Sequence, residues 1–266
     1  ALRALSDLLR LSRPDATVWV PSPTWPNHVP IVTAAGLKTG TYPYFNTTTN
    51  RVDFDAMMAA LENLPAGDVV LLHGCCHNPT GADLTPEHWK PLAELLVRKG
   101  LIPFVDIAYQ GFGEGLEQDA AGLRILADTV PELLVAASCS KNFSVYRDRA
   151  GAAIIMARNS TEADTAYSQL QGVGRCIWSM PPDHAAACVR IVLHDDDLRT
   201  NWKDELEAVR LRMLTLRTGF AEALRRQSNS ERFDFIAAQR GMFSRLGLAQ
   251  EQVVQLREKH GVYIVG

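Results

Sequence analysis

Short continuous apolar runs alternate along this chain with stretches in which apolar residues recur every three or four positions. Runs such as Val69–His73 are typical of strands buried on both faces of a sheet, and the helical spacing between them indicates amphipathic helices. We predict strands at Thr17–Pro21, Lys38–Tyr44, Val69–His73, Leu101–Asp106, Glu132–Ser138 and Gly151–Met156. We predict helices at Ala1–Arg10, Val29–Ala35, Asp53–Asn63, Thr85–Arg98 and Asp119–Asp128. This alternation predicts an α/β fold whose mostly parallel, doubly wound sheet carries helices on both faces.

The pattern changes after Ser160, where helical spacing replaces the alternation. We predict helices at Thr161–Val173 and Asp183–Leu193, followed by a long one over Asp195–Arg226. A helix of that length indicates a bridge between two domains, residues 1–195 and residues 196–266. The second would be a small α+β unit, with elements at Phe233–Ile236 and Gly241–Phe243, a helix at Ala249–His260 and a strand at Val262–Val265.

Three polar clusters follow the ends of predicted strands. Asn78 begins the sequence Asn-Pro-Thr-Gly after one strand, Asp106 and Tyr109 end another, and Lys141 follows a third. In open α/β sheets, ligands bind at the carboxyl ends of the strands. A lysine amine forms Schiff bases with carbonyl compounds and a buried carboxylate can keep a pyridine nitrogen protonated, so the clusters together predict a site for pyridoxal phosphate (PLP). Taken singly, they also have simpler interpretations as a surface lysine, a helix-capping aspartate and a turn.

Composition and charge exclude several classes of function but indicate no particular reaction. The 266 residues are 47% hydrophobic and 21% charged, as in soluble globular proteins, and the net charge of −3 gives no reason to expect nucleic acid or an anionic membrane as partner. The five cysteines include the adjacent Cys75 and Cys76 but no C-x-x-C spacing, so neither a disulfide framework nor a metal site is indicated. No apolar run approaches membrane-spanning length and no signal peptide precedes the first helix, so we expect a cytoplasmic protein.

Five sequence segments together resemble those of one enzyme family. They are Trp25–His28, His73–Gly81, Asp106–Phe112, Ser138–Phe143 and Gly241–Ser244. The sequence resembles the class I aspartate and aromatic-amino-acid aminotransferases, PLP-dependent enzymes of fold type I, over essentially the whole chain. The resemblance implies the large PLP-binding domain of that fold and part of its smaller C-terminal domain. It also implies truncation at both ends, with loss of a Ser-Gly-x-Gly phosphate loop and of the arginine that binds the substrate α-carboxylate.

The resemblance implies a role for each residue of the polar clusters. Lys141 would carry the cofactor as an internal aldimine and then act as general acid and base on the substrate Cα proton. Asp106 would pair with the pyridinium nitrogen, while Tyr109 and Asn78 would hydrogen-bond the ring hydroxyl oxygen O3′. Asn78 would also contact substrate.

Further residues are implied to hold the cofactor. Trp25 would stack on the ring and contact substrate, although an isolated tryptophan is more often part of a core. Ser138 and Arg149 would bind the phosphate, for which a guanidinium fork is suited. Arg147 is the nearby alternative to Arg149 and is expected at the surface.

The remaining implied residues act around the cofactor or on the substrate. His28 and His73 would orient Asp106 and the ring stack, each with an ordinary structural histidine as the alternative, and no role is predicted for His77. Arg175 would reach into the neighbouring subunit's site and pair with a dicarboxylate side chain, which implies a homodimer with shared active sites. Met180 stands where aspartate-specific relatives often carry asparagine, a departure that favours broader or aromatic substrate use.

We therefore predict transamination between an L-amino acid, either aspartate or an aromatic one, and 2-oxoglutarate by a ping-pong route. Amino-acid and 2-oxo-acid substrates would be its small-molecule partners. Another reaction of the same fold type, such as decarboxylation or lyase chemistry, is the alternative within enzymes. A catalytically impaired fragment of such an enzyme is the alternative outside them.

Overall fold

The protein is described by a computed structural model over residues 1–265, and its centre is a six-stranded sheet of order β2-β1-β5-β6-β7-β8. The strands are β1 (Thr17–Ser22), β2 (Lys38–Pro43), β5 (Val69–His73), β6 (Ile102–Ile107), β7 (Leu133–Ser138) and β8 (Gly151–Met156). Neighbours pair in parallel except for β7 and β8, which are antiparallel. The predicted α/β fold with a mostly parallel sheet is thus confirmed.

Helices cover both faces of this sheet. They are α1 (Leu2–Ser12), α2 (His28–Ala34), α3 (Phe54–Glu62), α4 (Pro86–Lys99), α5 (Ala121–Thr129) and α6 (Ser160–Trp178). Strand β5 shows why its sequence is continuously apolar. Val70 and Leu72 join the core cluster that contains α3, α4 and α5, whereas Val69 and Leu71 join the cluster that contains α1 and α2. Successive side chains of a strand point to opposite faces, so burial of both faces requires an unbroken apolar run.

Local sequence signals set several helix boundaries as predicted. Asp53 accepts a hydrogen bond from the Ala56 amide at the start of α3. Pro86 occupies the first position of α4, and Gly100 ends that helix at φ +65°, in the left-handed region that glycine enters without a Cβ clash. A short antiparallel pair, β3 (Phe45–Asn46) and β4 (Arg51–Val52), was not predicted because two-residue strands carry no periodic signal.

The second half of the chain is helical. Beyond α6 come α7 (His184–His194), α8 (Asp196–Ser228), α9 (Phe235–Ala238) and α10 (Gln250–His260). The sixth helix runs five residues past its predicted end at Val173, and the long helix α8 matches its prediction. Within residues 1–265, no helix combines the length and apolarity that crossing a membrane requires.

The predicted strand at Val262–Val265 is wrong. These residues form no regular element, and Tyr263 and Val265 are highly exposed. The apolar pattern there is that of a strand, but the described chain places no neighbouring strand beside it to complete the hydrogen bonds. Gly241–Phe243 is likewise irregular, so the described part of the tail is helical rather than α+β. The division at residue 195 stays a prediction.

A buried arginine attaches the C-terminal segment to α8. Arg217 donates to the Gly241 carbonyl at 2.7 Å and to the Ser244 hydroxyl at 2.7 Å, and it also bonds the Phe243 carbonyl. Hydrogen bonds to a charged donor are stronger than neutral ones. The segment 236–244 is therefore held against the sheet domain, close to the turn that follows β5.

Candidate active site

The polar residues predicted from the sequence meet at one edge of the sheet. Asp106 lies on β6 opposite His73, the last residue of β5, and Ser138 at the end of β7 pairs with Gly151 at the start of β8. The carboxyl ends of parallel strands meet at a common edge, and the antiparallel β8 begins there. Trp25, Asn78, Tyr109, Lys141 and Arg149 follow or precede these strand ends and lie in the loops above them.

These loops enclose a cavity of about 940 Å³. Of the predicted site residues, it is lined by Trp25, His73, Asn78, Asp106, Tyr109, Ser138, Lys141 and Arg149. The first residues of α1 also line it, and the N-terminus of a helix attracts anions. Arg175 and His28 do not line the cavity. Its size suits a cofactor together with a small substrate.

Among residues 1–265, Lys141 is the only lysine that lines this cavity. Its Nζ lies 4.7 Å from the centroid of the Tyr109 ring. Partial burial lowers the pKa of the Lys141 amine and the positive Arg149 lowers it further, while the carboxylate of Asp106 opposes both. A lowered pKa increases the fraction of unprotonated amine that can react with a carbonyl carbon or accept a proton.

The long helix α8 positions the loop that carries Lys141. Phe143 stacks on Trp202 with ring centroids 4.3 Å apart, and Trp202 Nε1 donates to the Asn142 carbonyl at 2.7 Å. The Asn142 side chain in turn donates to the Gln110 carbonyl at 3.2 Å. Sequence analysis did not identify Trp202, because nothing in the local pattern of α8 distinguishes it from an ordinary core residue.

A chain of hydrogen bonds connects Asp106 to two histidines. His28 Nε2 lies 2.9 Å from Asp106 Oδ2, His28 Nδ1 lies 2.7 Å from Thr24 Oγ1, and that hydroxyl lies 3.2 Å from His73 Nε2. An ionised Asp106 only accepts, so His28 Nε2 must donate to it. With a neutral imidazole, the Thr24 hydroxyl then donates to His28 and accepts from His73. The chain thus fixes the tautomers and directs a proton donor at Asp106.

Thr24 was also not identified in the sequence. It stands four residues before His28, at the start of the segment Thr24-Trp25-Pro26-Asn27-His28. The spacing is that of one helical turn, which is the only sequence signal that could have revealed the contact.

His77 has a place in this network although no role was predicted for it. Its ring is completely buried and stacks between Tyr44, at 4.3 Å, and His73, at 4.1 Å. His77 Nδ1 lies 2.9 Å from Thr80 Oγ1, whereas Nε2 has no hydrogen-bond partner among the described residues. Burial, together with the neighbouring His28, lowers the pKa of His77 to about 3. His77 is therefore a neutral ring that separates His73 from the core.

We expect His77 to make the fold sensitive to acid. Its folded-state pKa lies below the unfolded value, so the unfolded chain binds a proton first and stability is lost as pH falls from about 6.5 towards 3. The full effect is on the order of 5 kcal/mol, since each pKa unit corresponds to about 1.4 kcal/mol. His77→Phe keeps the ring stack and removes the titration. Its free energy of unfolding, measured with urea between pH 7 and 4, should fall less steeply than that of the wild type.

The comparison between wild type and His77→Phe cancels the opposite effect of Asp83. Burial raises the pKa of Asp83 to about 6, so Asp83 by itself would make the fold lose stability as pH rises from about 4 to 6. This contribution is common to both proteins. The exposed His194, changed to phenylalanine, should leave the pH slope unaltered. Parallel curves for wild type and His77→Phe would contradict the assignment.

Tyr109 and Asn78 form a polar pair beside Lys141. Burial raises the pKa of the Tyr109 phenol, although a hydrogen bond from Asn78 lowers it. The phenol is therefore neutral and can donate to a bound oxygen. Trp25 borders the same space, with its ring edge-on to His28 at 5.3 Å between centroids.

Arg149 and Ser138 line the cavity together with the first residues of α1. Arg149 is exposed at φ +59° and donates from Nη1 to the Tyr146 carbonyl at 2.7 Å. Ser138 ends β7 and accepts at its hydroxyl from the Ser140 amide at 3.2 Å. Together with the first turn of α1, they give this part of the cavity the positive and hydrogen-bonding groups that phosphate binding needs.

Arg175 lies near the end of α6 and does not line the cavity. It is exposed and donates from Nη1 to the Ser179 carbonyl at 3.3 Å, a contact also expected for a cation at a helix C-terminus. The structure thus brings the other predicted residues together and leaves this one apart.

The groups around the cavity match those of PLP. The Lys141 amine can react with an aldehyde, and the Asp106 carboxylate can pair with a protonated pyridine nitrogen. Tyr109 and Asn78 can hydrogen-bond a phenolic oxygen. Arg149 and Ser138 can bind a phosphate. Such a set at the carboxyl edge of a mostly parallel sheet defines the class of PLP-dependent enzymes with an α/β fold.

Comparisons with known proteins identify the family. A sequence profile described as "Aminotransferase class I and II" matches residues 2–266. An aromatic-amino-acid aminotransferase of Paracoccus denitrificans is 49% identical over 266 residues, which are all of this chain and 68% of that protein. An aspartate aminotransferase of Escherichia coli is 46% identical over 265 residues, which are all of this chain and 67% of that protein.

A solved structure agrees with these sequences. An aromatic-amino-acid aminotransferase of Burkholderia pseudomallei, covalently bound to pyridoxal phosphate, superposes with a TM-score of 0.97 at 44% identity over 99% of this chain and 66% of that one. The chain therefore belongs to the class I and II aminotransferases, a PLP-dependent family. It spans about two thirds of the length of these relatives.

Proposed function

We propose that this chain is the central part of an aminotransferase that acts on aspartate, on aromatic L-amino acids, or on both, with 2-oxoglutarate as amino-group acceptor. The observation that carries the proposal is the meeting of Lys141, Asp106 and Tyr109 in one cavity at the carboxyl edge of the sheet. When bound, PLP supplies an electron sink for the electron pair released when the substrate Cα–H bond breaks. The relatives' names favour transamination over decarboxylation or lyase chemistry.

Lys141 would hold the cofactor and move the proton. Its amine sits over the Tyr109 ring, and its lowered pKa leaves part of it unprotonated and able to take a proton from the substrate Cα. Tyr109 is neutral, and its phenolic O–H would donate a hydrogen bond to the ring oxygen O3′ of the cofactor. This bond would orient the cofactor ring relative to Lys141. The contact of Phe143 with Trp202 keeps the lysine loop from moving away from the cavity.

Asp106 would hold a proton on the pyridine nitrogen. Its Oδ2 accepts from His28, which stabilises the ionised carboxylate that this role needs. The rings of His73 and His77 stay uncharged beside His28, because burial keeps the pKa of both low. Arg149, Ser138 and the first turn of α1 would bind the phosphate.

A homodimer with shared sites accounts for the position of Arg175. Its guanidinium lies outside the cavity of its own subunit, near the end of α6, where the half-exposed apolar Trp178 ends the helix and the exposed Met180 follows it. If a second copy covers this surface, Arg175 would enter the other subunit's cavity and pair with the distal carboxylate of aspartate or 2-oxoglutarate.

Free thiols at all five cysteines support a reducing compartment such as the cytoplasm.

Removing Arg175 should separate the two substrate classes. In Arg175→Ala, kcat/KM for aspartate should fall roughly 30-fold or more, since the loss of one partner of a buried ion pair costs about 2–5 kcal/mol, whereas kcat/KM for phenylalanine should change little. Steady-state assays with both amino acids measure this. An equal loss for both would contradict a dicarboxylate-specific contact.

Mixing two variants that each lack one residue of the shared site tests the sharing directly. Lys141→Ala and Arg175→Ala chains, refolded together, should recover about a quarter of wild-type aspartate activity, because half the dimers are mixed and each mixed dimer has one intact site. No recovery from a folded mixture would contradict the sharing of active sites between subunits.

Failure of the wild type to form any 2-oxo acid from a stoichiometric amino acid would contradict transamination itself.

A further inference from the structure

The turn after β5 places two thiols beside the cavity and close to a buried carboxylate. The Sγ atoms of Cys75 and Cys76 and a carboxylate oxygen of Asp119 lie within 4.8 Å of one another, and all three residues are buried. Adjacent residues of an extended chain point in opposite directions. Cys76 has φ +50°, in the left-handed region, and this conformation turns both thiols to one side.

The charge around this cluster suits a cation. Asp83 and Asp119 both lie near the two thiols, and Asp83 accepts from the amides of Cys76 and His77 at 2.7 Å each. The positive Arg217 acts on Cys76, but its guanidinium donates to backbone carbonyls of the C-terminal segment. Two thiols beside two carboxylates therefore leave a net negative site that a divalent ion would neutralise.

The third donor is already held in a fixed orientation. Asp119 accepts from the amides of Gly111, Gly113 and Glu114 at 2.8–2.9 Å. Hydrogen bonds that fix a ligating carboxylate are typical of metal sites, because they orient the ligand before the ion arrives. A carboxylate has more lone pairs than these three bonds use, so one remains for an ion.

The cavity offers an ion a route to one of the two thiols. Cys75 lines the cavity that contains Lys141 and Asp106, so an ion can reach the thiols from there. In a tetrahedral site with metal–sulfur bonds of about 2.3 Å, donor atoms lie about 3.8 Å apart. The cluster thus needs to contract only slightly, and the fourth position would face the cavity.

We propose that Cys75, Cys76 and Asp119 form a binding site for a thiophilic divalent cation of the Zn²⁺ or Cd²⁺ type. Both thiols would lose their protons, so that two thiolates and one carboxylate surround the ion and two protons are released. The cysteine spacing alone does not indicate such a site, because Asp119 is more than forty residues away and only the fold brings it to the pair. Metal content is its readout, so the proposal can fail independently of the proposed enzyme activity.

The test uses Cd²⁺, because cadmium thiolates absorb in the ultraviolet and the ion can be counted by mass spectrometry. A starting protein carries Cys139→Ser, Cys176→Ser and Cys188→Ser. This removes other thiols, including Cys188, whose Sγ lies 3.8 Å from His184 Nε2 on α7 and would bind ions by itself. This protein should bind one Cd²⁺ per chain with an absorbance that corresponds to two thiolates.

Adding Cys75→Ser or Cys76→Ser should abolish that absorbance. Loss of a residue that only hydrogen-bonds a metal ligand typically lowers metal affinity roughly 10- to 100-fold. Asp119 is proposed as a direct ligand, so Asp119→Asn should lower Cd²⁺ affinity by at least that factor. Circular dichroism checks that each variant is folded, and Cys75→Ala replaces the serine if the hydroxyl is not accepted in this apolar position. The proposal is overturned if the starting protein binds no Cd²⁺, or if the folded double variant lacking both thiols binds it with unchanged affinity.

Discussion

Replacement of Lys141 by alanine is expected to lower transamination about 1,000-fold or more while leaving the fold intact. The Lys141 amine combines a lowered pKa with a position over the Tyr109 ring. General acid–base catalysis by one positioned group contributes roughly 100- to 10,000-fold, and here the same group also attaches the cofactor. Single-turnover assays with saturating PLP measure the loss, and circular dichroism measures the fold.

Two further variants distinguish chemistry from charge. Lys141→Arg keeps the positive charge but presents no nucleophilic amine, so it should be as inactive as the alanine variant. Arg147→Ala removes a cation from the same loop that does not line the cavity, so it should retain near-normal turnover. Near-normal turnover in Lys141→Ala would refute the mechanism.

Replacement of Asp106 by asparagine is expected to lower turnover roughly 10- to 1,000-fold. An opposite charge at contact distance raises the pKa of a cationic group by about 1–3 units. A neutral amide at this position would remove that shift, so a smaller fraction of the pyridine nitrogen would be protonated at neutral pH. Because His28 Nε2 donates to Asp106 Oδ2 at 2.9 Å, the amide must present its oxygen to His28. Its NH₂ group would then face the cofactor, where it donates rather than accepts.

The pH profile separates this role from a structural one. In the wild type, kcat should be constant through neutral pH, whereas in Asp106→Asn it should rise towards lower pH as solvent protons replace the lost carboxylate. Asp106→Glu keeps the charge and should recover part of the rate. A uniform decrease with an unchanged profile in Asp106→Asn would indicate that the carboxylate only supports the fold.

Much of this architecture could be predicted because its signals are local. The continuous apolar run of β5, the capping Asp53 and the left-handed Gly100 each determine a boundary within a few residues of sequence. The candidate site was predictable for a related reason. Parallel strands bring their carboxyl ends to one edge, so Asp106 and Lys141 meet there without any long-range information beyond the fold class.

What the sequence did not predict depends on contacts between distant segments. Trp202 supports the lysine loop from 60 residues away, and Asp119 meets Cys75 across two loops. His77 has no special sequence context, yet its burial between Tyr44 and His73 makes it a neutral spacer. The strand predicted at Val262–Val265 failed for the same physical reason, since a strand needs a neighbour and the pattern of one segment cannot supply it.

PLP is expected to attach to Lys141 and to no other lysine of the chain. Incubation of the folded chain with PLP, reduction with borohydride and peptide mass mapping would locate the attachment. A cofactor-sized adduct confined to the peptide that contains Lys141, and absent from Lys141→Ala, is the predicted result. An adduct spread over surface lysines, or none at all in folded protein, would contradict the assignment of this cavity as the cofactor site.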